Sequence, residues 1–265
     1  ERCSPAGNDF FKKVNAAIPN YNIQWSPDST DEEVRRAFGK GYSNSEIEST
    51  IQGALENGCK RLDLFFMIGL PKQTYSSVMN DAAYLRRLLG EFKHHKKVLP
   101  FISPLAPFVD PGSKAFENPQ KYGYRMFYRT LEEHRQALKS PSWKYMLNYE
   151  TEWMSRDEIV MSRYEAALSF NQLKTEFGLV LPRVAEGVET RARGAMKLMR
   201  AIDKIVAEHG LDSEEMTSLK HEADKLSTSS ICQKKELHWP AASFMRNAPR
   251  IVWAFATGSE FRNGA

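Results

Sequence analysis

Apolar residues along this chain follow two periods, and the alternation between them lays out the fold. The run Arg61–Ile68, RLDLFFMI, is short, dense in large apolar residues and closed by Gly69 and Pro71. That pattern predicts a strand buried on both faces, of the parallel kind. After Lys72, Gln73 and Thr74 the period changes, and Val78, Ala82, Leu85, Leu88 and Leu89 recur at helical spacing. Strand, glycine turn and helix make half of a βαβ unit.

The segments before this unit repeat its logic. Asn8–Ala17 places Phe10, Phe11, Val14 and Ala17 on one helical face, and Pro19 ends that helix ahead of a strand at 21–25. Ser26, Pro27, Asp28 and Ser29 then form a turn sequence, and 31–38 holds one or two helical turns before Gly39 and Gly41. Ser43 with Glu46 is a capping box for a helix carrying Ile47, Ile51, Ala54 and Leu55, which Gly58 ends. A third strand is expected at 98–102. The first hundred residues thus read as βα units of a parallel sheet, in which ligands sit at the carboxyl ends of the strands.

From 104 to 123, four prolines and two glycines predict a long irregular loop, which fits a lid or a pocket wall. Beyond it the pattern reads as helical: one helix at 124–138, another capped by Ser155 and Glu158 and running to Phe177, a third at 184–208 and a polar one at 213–226. After a Ser/Thr-rich break, the tail at 239–256 is aromatic and apolar but too short to span a bilayer. Docking on the core or a partner is expected of it, with peripheral membrane contact as the alternative. The division expected is 1–123 for the βα part and 124–265 for an α-helical region.

Composition changes little. With 265 residues, 42% hydrophobic and 26% charged, the chain is long enough for a substantial core. Its 37 basic residues are interleaved with 33 acidic ones for a net charge of +4, which argues against a dedicated nucleic-acid surface. Cys3, Cys59 and Cys232 lie far apart in no ligand spacing, so neither a zinc site nor a disulfide framework is indicated, and a cytoplasmic location with reduced thiols is expected. The chain opens on Glu1, and the expectation is that it begins in the middle of a longer protein.

Candidate chemistry lies at the strand ends. Ser26, Asp28 and Ser29 offer polar groups where Asp28 can accept from a ribose or an ammonium group, or serve only the turn. Lys40, between two glycines, can reach a carboxylate or phosphate or sit solvated on the surface. Asp63 inside an apolar run calls for a structural partner. Glu150 and Glu152 in LNYETEW would face one side of an extended segment, walled by Tyr149 and Trp153, as acid and base of a barrel hydrolase. The tyrosines and tryptophans at 122–153 fit either a pocket lining or core packing.

The stretch from SPDS at Ser26 through Gly39-Lys40 to GLPKQT at Gly69 resembles the second half of the radical SAM barrel, where a strand-end turn, a Gly-Lys or Gly-Arg pair, a helix and a strand ending Gly-Leu-Pro follow in this order. The run from FISPLAPF through SWKYMLNYETEW looks like the members that carry an upstream cobalamin-binding domain, and the likeness covers roughly 21–178. The resemblance implies later βα units of a partial TIM-type barrel followed by a helical extension. It also implies S-adenosylmethionine at these strand ends, with Asp28 against the cofactor, Lys40 at its carboxylate, and Ser26 with the backbone of Met67 to Gly69 bordering the adenosine. Phe65 stands where the porphyrinogen-oxidase branch has an acidic residue, so the ribose contact made there is lost or supplied elsewhere.

The CxxxCxxC that would hold a 4Fe-4S cluster is missing. The cluster ligands and the cobalamin domain are therefore expected in an N-terminal half outside this chain, and this part alone is expected to be inactive. The implied activity is reductive cleavage of S-adenosylmethionine to a deoxyadenosyl radical, with methyl transfer to a small-molecule or lipid-like substrate where cobalamin takes part. The other readings are a non-catalytic interaction scaffold derived from a barrel, and the carboxylate-dependent hydrolase.

Overall fold

The computed structural model describes residues 4–18, 20–104, 109–140 and 142–209, with Met216 and Leu219. All of these fall in one compact unit, Glu1–Ala223. Apart from Met216 and Leu219, both helical, the expected helix at 213–226 lies outside the described residues, as does the tail at 239–256.

The molecule is α/β. Helix α1 (Asn8–Ala17) leads into strand β1 (Asn22–Asp28), then α2 (Glu32–Ala37), α3 (Asn44–Glu56), β2 (Arg61–Ile68), α4 (Tyr75–Glu91) and β3 (Val98–Pro104). The three strands form one parallel sheet in the order β1-β2-β3. Alternation sorts the side chains of β2: Leu62, Leu64 and Phe66 enter a core with Ile47 and Ile51 of α3 and Leu85 and Leu88 of α4. The other face holds Phe65, Met67, Leu99 and Phe101, all half-buried, with the rings of Phe65 and Phe101 stacked 5.2 Å apart across the register.

Local signals explain most of the element boundaries. Ser43 and Glu46 close the capping box of α3, and Thr74 and Ser77 close one at the head of α4. Two boundaries differ most from the sequence reading. The first strand runs on through Ser26 and Pro27 to Asp28 because Pro27 enters at a register irregularity, where no ladder donor is required of it. The second difference is at 124–138, expected as one helix. It is strand β4 (Tyr124–Met126) followed by α6 (Leu131–Ala137), because the Thr130 and Glu133 capping box starts the helix late.

Between β3 and β4 the expected irregular loop carries a short helix, α5 (Lys114–Glu117), and a 3-10 turn at Pro119–Tyr122; 105–108 lie outside the described residues. After α6 come α7 (Trp143–Met146) and β5 (Tyr149–Thr151), which pairs antiparallel with β4. The part after 123 is thus not purely helical. Helix α8 (Arg156–Glu176), capped by Ser155 and Glu158, packs on α4 and β3, and α9 (Pro182–His209) packs on α8. No helix among the described residues is long and apolar enough to cross a membrane.

Candidate functional site

At the carboxyl end of β1 the backbone does something unusual. Asp28 has φ of 71°, and the Ser29 N–H donates to the Pro27 carbonyl at 3.0 Å, which closes a γ-turn on a non-glycine residue. Such a turn stores about 1–3 kcal/mol and persists only where its surroundings hold it. Three elements do so. Arg35 of α2, fully buried, donates to the Ser29 carbonyl at 2.6 Å and to the Tyr42 carbonyl at 2.8 Å. Asn44 at the head of α3 donates to the Thr30 carbonyl at 2.9 Å, and Asp81 of α4 accepts from the Thr30 amide at 3.1 Å and hydroxyl at 2.5 Å.

The turn buries the Asp28 side chain completely, with Lys40 Nζ 2.7 Å from its Oδ2. The same ammonium donates to the Ser26 carbonyl at 2.7 Å. Lys40 has three N–H donors, so one remains free among the described residues. Burial pushes the Asp28 carboxyl above its usual range, and Lys40 and Arg35 pull it back. Its Oδ1 is buried with no hydrogen-bond partner among the described residues. An orphaned carboxylate oxygen beside a cation with a spare donor is an arrangement able to take a ligand bearing both a donor and an anionic group.

Met67 and Gly69 stand at the end of the neighbouring strand, where Phe66 is the register partner of Asp28. Their backbone groups already have partners within the fold. Gln73, fully buried, donates to the Met67 carbonyl at 2.9 Å and accepts from the amides of Gly69 at 2.9 Å and Leu70 at 3.2 Å. The Gly69 carbonyl faces the Tyr124 hydroxyl at 3.4 Å. The structure therefore brings Ser26, Asp28 and Lys40 into one polar centre and leaves Met67 and Gly69 as an internally satisfied wall beside it.

Asp81, Thr30, Arg35 and Gln73 were not among the residues singled out from sequence. Asp81 had a signal: it lies three positions after Val78 and four before Leu85, on the apolar stripe of α4, and it is completely buried. Burial pushes its carboxyl up to about 7, the Thr30 bonds opposing. Gln73 lies in the GLPKQT stretch, but its bonding had no signal, since only the folded turn brings its amide onto three backbone groups.

Most of the other candidates have partners within the fold. Asp63 pairs with Arg61 at 2.8 Å, as its apolar setting required. Glu150 and Glu152 do line one cleft of about 560 Å³, with Arg125 and Arg129. Glu150 is committed there to an ion pair with Arg125 and to the Arg156 amide at 3.3 Å. Tyr149 turns the opposite way into the core, as strand alternation demands, and so makes no wall for the two carboxylates. Much of the aromatic group packs with bonded polar tips: Trp143 donates to the Tyr164 hydroxyl at 2.9 Å, Tyr128 to the Tyr145 carbonyl at 2.9 Å and Tyr145 to Asp203 at 2.8 Å, whereas the buried Tyr149 hydroxyl has no hydrogen-bond partner among the described residues. Cys59 is buried, and burial pushes its thiol up. Among the described residues no three His, Cys, Asp or Glu side chains come together to hold a metal ion. No protein-family model matches this sequence, and no curated protein matches it.

Proposed function

We propose that this chain supplies the later βα units of a radical SAM barrel, of the cobalamin-linked kind, with Ser26, Asp28 and Lys40 set against S-adenosylmethionine. The observation that carries the reading is the strained, fully buried Asp28 paired with Lys40 at the carboxyl end of a parallel strand, with one carboxylate oxygen unmatched. Ligands of parallel α/β sheets sit at that end.

The sheet itself supports the same reading. A parallel sheet is stable when both faces are covered, yet Phe65, Met67, Leu99 and Phe101 are only half-buried here, and β1 pairs on one side alone among the described residues. Closure of a barrel by preceding strands would cover that face and that edge together.

S-adenosylmethionine fits the residues present. The spare donor of Lys40 would meet its carboxylate, and the orphaned Asp28 Oδ1 would accept from its amino group or a ribose hydroxyl. An iron–sulfur cluster does not fit this chain, whose three cysteines are scattered, and its ligands would come from residues outside it. Reductive cleavage of S-adenosylmethionine, and methyl transfer to a small-molecule or lipid-like substrate where cobalamin is bound, are the chemistry such cofactors supply. The part played by these residues is to bind and orient.

Anaerobic calorimetry on protein expressed together with its upstream coding region tests the reading. S-adenosylmethionine is expected to bind, and Lys40→Met to weaken it by about tenfold or more, with folding checked by circular dichroism. An upstream region without CxxxCxxC, or an affinity that Lys40→Met leaves unchanged, sinks it.

A further inference from the structure

The polar centre depends on a residue that does not touch it. We propose that Asp81 is a positioning residue for the Asp28–Lys40 pair, holding the γ-turn at Asp28 closed through Thr30. The inference concerns the same site as the cofactor reading and rests on that reading only for the identity of the ligand.

The geometry is specific. One oxygen, Asp81 Oδ1, takes both the amide and the hydroxyl of Thr30, while Oδ2 is buried with no hydrogen-bond partner among the described residues. Arg35 and Asn44 fasten the carbonyls of Ser29 and Thr30, so Asp81 is what fastens the Thr30 donors. Thr30 is two residues from Asp28. If its amide were released, nothing else in this set would hold that side of a turn whose own backbone energy favours opening.

Charge decides how firmly the latch holds, because hydrogen bonds to a carboxylate are about twice as strong as those to a neutral carboxyl. Two opposed groups, one at the N-cap of α2 and one within it, act on Asp81: the Asp31 carboxylate raises its pKa and the Arg35 guanidinium lowers it. Helix α3 meets α4 elsewhere, through Glu48 against Tyr84 and Arg87. Helix α8 meets it through Glu165 at Tyr75 and Glu176 at Arg86. Since burial outweighs the Thr30 bonds, the carboxyl takes up a proton near neutral pH, and the latch loosens as it does.

Carbon-13 labelling of the aspartates allows a test without ligand. Between pH 5 and 9 the Asp28 carboxyl and the Thr30 amide resonances are expected to move with the midpoint of Asp81. Asp81→Asn should remove that step from both. Thr30→Val should raise the Asp81 midpoint, because it deletes a bond to the charged form, and Thr30→Ser should leave it in place. An Asp28 signal blind to the Asp81 titration, or one that keeps the step in Asp81→Asn, overturns the proposal.

A second arm measures S-adenosylmethionine affinity anaerobically, on the protein expressed with its upstream region, at pH 6 and pH 8. The wild type is expected to bind about tenfold more tightly at pH 8 relative to the pH 6 to 8 ratio of Asp81→Asn, which carries the ligand's own titration. Equal ratios in the two proteins also overturn the proposal. Absence of binding at both pH values, with the ligand-free step intact, removes the cofactor reading and leaves the positioning role standing.

Discussion

Replacing Gly69 with alanine tests how the second half of the molecule is fitted to the end of β2. Gly69 has φ of 89°, a region an alanine enters at a cost of about 1–2 kcal/mol. A methyl group there would also collide with the Tyr149 hydroxyl and stand 3.1 Å from Cε2 and Cζ of the same ring. Tyr149 is fully buried, so the ring has little room to give, and forced overpacking of this kind costs about 1–3 kcal/mol. The sum is about 3 kcal/mol, or roughly 6–12 °C in Tm for a chain of this size.

The two parts of that cost separate in a double-mutant cycle. The Tyr149 hydroxyl is buried without a hydrogen-bond partner among the described residues, so Tyr149→Phe alone is expected to be neutral or stabilising by up to about 1 kcal/mol. In the Gly69→Ala background the same change removes the nearest colliding atom, and the coupling is expected to be about 1–2 kcal/mol in favour of the double mutant. The backbone part should remain. Urea unfolding of the four proteins, followed by fluorescence, gives all the terms. Strict additivity would refute the idea that Tyr149 is the wall against which Gly69 is selected.

Two further outcomes follow from the polar centre. Lys40→Met strips the buried Asp28 of its ion-pair partner and is expected to cost about 3 kcal/mol at pH 8, and progressively less as pH falls and the carboxyl, whose pKa is raised by burial, takes up a proton; a loss that does not shrink with falling pH would contradict the pairing. For Asp81 the folded protein prefers the protonated form, its pKa standing near 7 against an ordinary 3.8, so stability is full below about pH 4, falls as pH rises towards 7 and is flat above. That slope is worth about 4 kcal/mol, and the pH profile of denaturant unfolding for Asp81→Asn should lack it.

Much of the frame was legible in the sequence because local rules carry it. Ser43 with Glu46 and Ser155 with Glu158 placed the starts of α3 and α8, and the dense run at Arg61–Ile68 placed β2 to the residue. The reading lost β4 and β5, each three residues long, because a strand so short shows no period and here lies next to helical patterning. In the candidate site, Ser26, Asp28 and Lys40 stood out in the sequence because they end a strand or sit between glycines. The γ-turn escaped, since the backbone at Asp28 is imposed by Arg35, Asn44 and Asp81 from three separate helices, and no local signal predicts such an agreement.

The place of α8 has a consequence for the order in which the chain can fold. Phe66 of β2 meets the edge of the Phe170 ring, with centroids 5.9 Å apart, and Leu173 joins the same core. At a synthesis rate of 5–20 residues per second, Phe170 leaves the ribosome roughly 5–20 s after Phe66. Throughout that interval the βα units lack the helix that covers α4 and β3, whatever their own helices have already formed. A parallel sheet waiting for a distant helix is slow to close and open to aggregation. The surface formed by α4 and β3 is therefore where a holding chaperone is expected to bind the nascent chain, and its release should coincide with the arrival of α8.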